Sequence, residues 1–198
     1  EKWSHNWVNS SGRPVISGKV TYSDNNKIAS FEIRQKAEDG TDKIWPQTFD
    51  ISLVYSDSTS TISVDLKDSK TMLYEMVGYP KPLFVQYNSN GLGYGVFPID
   101  QNELIYNSLI KTDIAKAQSY LNCYENTLSG MIPPLKAIEY YQNALNTETD
   151  ELILRLITGE IRSIFWTFLS EEERYNCQLE LENILIDKLD QSFASNIK

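Results

Sequence analysis

The stretch Tyr94-Gly-Val-Phe-Pro-Ile-Asp-Gln-Asn-Glu-Leu-Ile-Tyr-Asn-Ser-Leu109 decides how the chain is divided. Up to Ile99 it alternates, with Tyr94, Val96 and Pro98 opposing Gly95, Phe97 and Ile99, which is the period of two expected of a strand. At Asp100 the pattern changes. Asp100 and Glu103 stand at capping-box spacing, where the Asp side chain accepts from the N3 amide and the Glu reaches back to the cap amide, so a helix is predicted to begin there. Leu104, Ile105 and Leu109 then recur at helical spacing.

Composition shifts at the same place. Residues 1–100 hold 7 of the 9 glycines and 5 of the 7 prolines, which confines the turn punctuation to the first half. Lys and Arg number 10 against 12 Asp and Glu in residues 1–100, and 8 against 15 in residues 101–198, so the balances are −2 and −7 and the acidity belongs to the second half. The chain therefore reads as α+β in two parts: an N-terminal antiparallel β-sandwich over 1–99, then a C-terminal antiparallel α-helical array over 100–198 that is truncated.

Working outward, Ile16, Val20 and Tyr22 share a parity, Ser23-Asp-Asn-Asn26 makes a turn, and Ala29, Phe31 and Ile33 share a face of the next strand. Trp45, Phe49, Ile51, Leu53 and Tyr55 alternate, Ser56–Ser60 turns, and Ile62, Val64 and Leu66 alternate again, giving a second hairpin. Leu83, Val85 and Tyr87 precede the turn Asn88-Ser-Asn-Gly91. Beyond Asp100, Ile114, Ala117, Leu121, Tyr124 and Leu128 make an apolar stripe ending before Gly130. Pro133-Pro134 opens a helix with Ile138, Tyr141 and Leu145 on one side. A third stripe runs through Ile153, Leu156, Ile157, Ile161, Ile164, Phe165 and Phe168. Ser170 with Glu173 is another capping box, leading to Leu181, Ile184, Leu185 and Leu189. That last stripe is expected to stay exposed in a truncated array and to support self-association.

Chain length and a hydrophobic content of 41% suffice for a core without disulfide or metal staples. A formal net charge of −9 leaves no basic stripe for a phosphate backbone, so no nucleic-acid partner is expected. No apolar run approaches the length of a membrane span, and no signal peptide is read. His5 is the single histidine, which excludes a self-contained HExxH site. Cys123 and Cys177 form no CxxC pair and read as free thiols. Gly91-Leu-Gly-Tyr-Gly95 lacks the following Lys-Ser/Thr of a phosphate loop and reads as a turn. No residue is assigned as catalytic, cofactor-binding or metal ligand. Trp45 and Tyr94 read as packing residues. Glu171-Glu172-Glu173 reads as a helix start, and Tyr140-Tyr141 as packing or as a surface toward a peptide chamber.

A family resemblance is carried by an ordered set of short motifs: a Trp-containing lead-in with Gly12-Arg-Pro-Val-Ile16, Gln35 in the second strand, Ile44-Trp-Pro-Gln47, Tyr87-Asn88, and Gly93-Tyr94 six residues before Asp100. In this order, over roughly residues 7 to 190, the chain resembles the segment that follows the catalytic domain in the aminopeptidase N-type zinc metallopeptidases. It departs from them where Pro46 follows Trp45 directly, and where Gly95 and Val96 stand in place of Tyr and Arg. The resemblance implies that the zinc helix, the distal Glu ligand, the amino-terminus-binding strand and the transition-state Tyr all lie upstream of Glu1. The absence of an initiating Met fits an excised fragment. The chain would then be a spacer plus the start of a helical wall, inactive alone. Its partners would be the upstream catalytic domain and the remaining helices, with peptides and zinc belonging to the parent protein. A competing reading is a stand-alone binding or adhesion module that presents Trp3, Trp7 and Trp45 on a helical stalk.

Overall fold

The two hairpins form as read. In the computed structural model, which describes Trp7 and residues 11–195, β1 (Pro14–Tyr22) and β2 (Ile28–Ala37) pair antiparallel. Their register skips one residue of β2 between the Thr21–Ser30 and Tyr22–Ile28 pairs, so Ala29 is the extra residue of a bulge. Parity inverts across it, and Ile28 rather than Ala29 is buried with Phe31 and Ile33. β3 (Gln47–Val54) and β4 (Thr59–Leu66) form the second hairpin, closed by Tyr55 N donating to Ser58 O at 2.9 Å. β5 (Lys70–Met72) pairs with β2, and β6 (Phe84–Tyr87) with β3. Two three-stranded antiparallel sheets result, in the orders β1-β2-β5 and β4-β3-β6. Ile16, Phe31 and Ile33 from the first meet Phe49, Ile51, Leu53 and Val64 from the second in a single apolar cluster. Phe97 joins it edge-on to Phe49, with ring centroids 4.9 Å apart.

The strand expected over Tyr94–Ile99 does not form. Only an isolated bridge joins Val96 to Val15. Gly95 has φ +128°, and a Cβ there would lie 2.3 Å from Pro14 O, so the chain crosses β1 too closely and in the wrong conformation to continue as a strand.

Asp100 does act as a helix cap, accepting from Asn102 N at 2.8 Å, but the element it caps is a nine-residue 3-10 helix, Gln101–Leu109, rather than an α-helix. Asn102 and Ser108 favour local polar bonding over helix propagation, and Asn102 Nδ2 donates to Asp100 Oδ1. α1 (Asp113–Leu128) then buries a face that the apolar pattern did not mark. Ile114 is 64% exposed, and Leu121 and Leu128 are exposed too, while Ser119, Asn122 and Asn126 are buried. The reason is hydrogen bonding: Asn122 Nδ2 donates to Tyr87 O at 3.1 Å and Asn126 Nδ2 to Phe97 O at 2.7 Å, which ties the helix to the end of β6 and to the irregular segment after it. Arg13 reinforces this by pairing with both Glu38 and Glu125.

The chain divides into two compact units, Glu1–Asn126 and Thr127–Lys198. Secondary structure changes from strands to helices near residue 100, whereas the compact unit runs on to Asn126 because the Asn face of α1 hydrogen-bonds the strand ends. The second unit holds α2 (Pro134–Thr147), α3 (Glu151–Thr167) and α4 (Glu171–Ser195), with α2 packed on both α3 and α4. Gly130 ends the preceding helix at φ +72°, as its position suggested. Ile138, Tyr141 and Leu145 of α2 are buried, as are Ile153, Ile157, Ile161 and Ile164 of α3; Phe168 is exposed and Leu169 buried in its place. Ser170 and Glu173 close the expected capping box, with Ser170 N donating to Glu173 Oε2 at 2.8 Å and Glu173 N to Ser170 Oγ at 3.3 Å. The stripe expected to be exposed on α4 is largely turned inward: Leu181 is buried, Ile184 and Leu185 half-buried, and only Leu189 exposed. Among the described residues no helix is long and apolar enough to cross a membrane.

Candidate functional site

The residues that carry the family resemblance converge on one region of the first unit, and each has a structural task. Gln35, buried in β2, accepts from Trp45 N at 3.0 Å and donates to Asp68 O at 3.0 Å, pinning the approach to β3 and the entry to β5. Trp45 is 1% exposed. Asn88, at φ +58°, brackets Gly93 from both sides, accepting from its N–H at 2.7 Å and donating to its carbonyl at 3.0 Å. Gln47 Oε1 accepts from Tyr94 N at 2.8 Å. Val96 N donates to Pro14 O, and Ile16 N to Val96 O, which ties the Gly12–Ile16 entry to the Gly93–Val96 segment. Trp7 lies against Tyr94, with ring centroids 5.6 Å apart. This network orients backbone; it presents no nucleophile.

Two concave features of the same unit gather polar or titratable groups beside the strands. A cleft of about 590 Å³ lies over the face of β4-β3-β6 that points away from the apolar cluster, lined by Ser52, Thr61, Gln86, Ser89, Ile110 and Thr112. Ser52 Oγ donates to Ser89 Oγ at 2.8 Å, so the 2.8 Å contact with Thr61 Oγ1 has Thr61 as donor. The relay ends on Ser89 without meeting a base, and no hydroxyl in it is activated. The second feature is a cavity of about 20 Å³, room for one water, bordered by Phe84, Tyr87, Pro98, Glu103, Asn107 and Asn122. Burial, with the Asp100 charge as a smaller cause, pushes the Glu103 carboxyl up to about 7. Burial likewise raises the Tyr87 phenol well above its ordinary value, with the Glu103 charge adding to it. A carboxyl near neutrality can act as acid or base, but this cavity admits no substrate and holds no nucleophile. The sequence marked Glu103 only as a cap partner; its carboxyl is instead drawn under the 3-10 helix, and no local spacing signals that.

The remaining candidates fall into structural roles. Tyr140 and Tyr141 are both buried, with ring centroids 5.4 Å apart, and face no chamber. Glu171 and Glu172 are exposed at the start of α4, where Glu173 serves the cap. Cys123 is buried and Cys177 half-buried, neither is in a disulfide, and burial raises the Cys177 thiol. Trp3 and His5 lie outside the described residues. Among the described residues no group of three His, Cys, Asp or Glu side chains could hold a metal ion. No family model matches the chain, and no curated protein matches it in sequence.

Proposed function

We propose that this chain is a non-catalytic, architectural segment of an aminopeptidase N-type zinc metallopeptidase that removes N-terminal residues from peptides. In this reading the two sheets form a β-sandwich spacer that follows the catalytic domain, and the helices begin the wall of the chamber over the zinc. One observation carries it: among the residues that bear the resemblance, the side chains of Gln35, Gln47, Asn88 and Tyr94 all bond backbone groups of the same unit. Residues that recur for scaffold reasons are what a spacer would share with its relatives. The competing binding-module reading is weaker, since Trp45 is buried and Trp7 lies on Tyr94 rather than standing free as a ligand platform.

The sequence encoded upstream of Glu1 should contain HExxH followed by a Glu about one helix further on. The purified chain should bind no stoichiometric zinc and leave aminoacyl anilides intact. Near-equimolar zinc by metal analysis, or turnover by the chain alone that a chelator abolishes, would overturn the proposal.

A further inference from the structure

Helix α4 carries a second apolar face, distinct from the one it packs inward. Tyr175, Leu179, Ile186 and Leu189 are 73%, 68%, 55% and 58% exposed, and with Glu182 between Leu179 and Ile186 they occupy five successive 4-3-4-3 heptad positions, four of them apolar. A strip of this period keeps one face toward a second helix along its whole length, whereas a globular surface would not need it. Beside the strip, between α3 and α4, runs a groove of about 350 Å³ whose walls include Phe165, Trp166, Leu181 and Leu185. Glu182 stands on its α4 side and Arg162 on its α3 side, and neither makes an ion pair among the described residues.

Charge selects the occupant. Glu172 and Glu182 fall on the seam of this heptad, Glu171 and Asp190 on positions that flank it, and all four are exposed; of the described basic residues beside it, Arg162 lines the groove and Arg174 rests its guanidinium 5.7 Å over the Trp166 ring. A parallel second copy would set Glu182 against Glu182, and in either direction two acidic strips from chains of net charge −9 would repel. We propose that this face docks a basic amphipathic helix, with its apolar seam on Tyr175, Leu179, Ile186 and Leu189 and its Lys or Arg residues opposite Glu182 and the flanking carboxylates. The inference does not depend on the peptidase reading, because it uses only the α3–α4 surface.

The test is binding of designed three-heptad peptides to the full chain, read by calorimetry. One peptide carries Leu at a and d with Lys at e and g; a second has Glu at e and g; a third has the composition of the first in scrambled order. The Lys peptide should bind, more weakly at high salt, and the other two should not. Ile186→Asp, on an exposed position that leaves the fold intact by circular dichroism, should weaken binding about thirtyfold. Glu182→Lys should weaken it about fivefold and let the Glu peptide bind. Equal binding of the scrambled peptide would reduce the effect to net charge and overturn the proposal, as would no binding at all. A wild-type dimer in sedimentation that Ile186→Asp dissociates would assign the strip to a second copy and overturn it equally.

Discussion

Asn126→Ala removes the contact on which the extent of the first unit depends. The Asn126 amide gives one N–H to Phe97 O and the other to Asn122 O, both at 2.7 Å, and the residue is buried. Asn122 O lies within α1, whereas Phe97 stands in an irregular segment with Asn126 as its side-chain donor. Truncation leaves a buried carbonyl unpaired, a loss of about 2 kcal/mol. With a urea m-value of about 1.5 kcal/mol per molar, that lowers the midpoint by roughly 1.3 M. Asn126→Asp is the sharper variant, because an ionised carboxylate offers only acceptors to two carbonyl oxygens and should cost more than Ala at neutral pH. Protonation restores one donor, so the folded pKa of the new Asp is raised. Its stability is therefore highest below the ordinary Asp value of about 3.9 and falls as pH rises through the folded pKa. Urea titrations should be followed by hydrogen exchange of the β3 amides, which reports on the first unit, with Ile114→Ala as an exposed control on the same helix expected within about 0.5 kcal/mol. If Asn126→Ala costs no more than Ile114→Ala, or Asn126→Asp no more than Asn126→Ala at pH 7, the amide does not hold α1 to the strands.

Two further expectations concern the same unit. A chain ending at Asn126 should unfold cooperatively, whereas one ending at Ile99 should bind a hydrophobic dye and lose the sharp transition, because the donors to Tyr87 O and Phe97 O are gone; equal cooperativity would refute this. The Glu103 carboxyl, pushed up to about 7, binds a proton in the folded chain that the unfolded chain releases near the ordinary Glu value of about 4.3. Stability should therefore decline as pH rises from about 4.3 to about 7, and Glu103→Gln should flatten that decline; an unchanged pH profile of unfolding would show that Glu103 is not the titrating group.

How far the sequence reached depends on which force fixes each element. The β1–β2 and β3–β4 hairpins, the Ser170–Glu173 box and the Gly130 stop are set by residues within a few positions of one another, and their spacing shows directly in the chain. Two of the failures share one cause, which is that the deciding contact is distant. Tyr94–Ile99 alternates well enough for a strand, yet Pro14, some eighty residues earlier, crosses at Gly95 and prevents it. α1 has an apolar stripe, yet the strand ends need donors more than they need methyl groups, so the helix turns Asn122 and Asn126 inward and leaves Ile114 to solvent. A search for hydrophobic period alone cannot rank an amide that satisfies a carbonyl above a leucine that covers a surface.

The same contrast bears on what a motif means. Gln35, Asn88 and Gln47 are the polar residues a motif reader would first suspect of chemistry, and each uses its amide on backbone: Trp45 N and Asp68 O for Gln35, both polar atoms of Gly93 for Asn88, and Tyr94 N for Gln47. A polar atom bound to its own scaffold this way is not available to a substrate, so these contacts mark a way of building this region rather than a reaction. Gly95 sharpens the point, because any Cβ there would meet Pro14 O. The backbone takes a path at Gly95 that glycine favours, φ +128°, and this lets Val96 tie to both Pro14 and Ile16 without a strand between them.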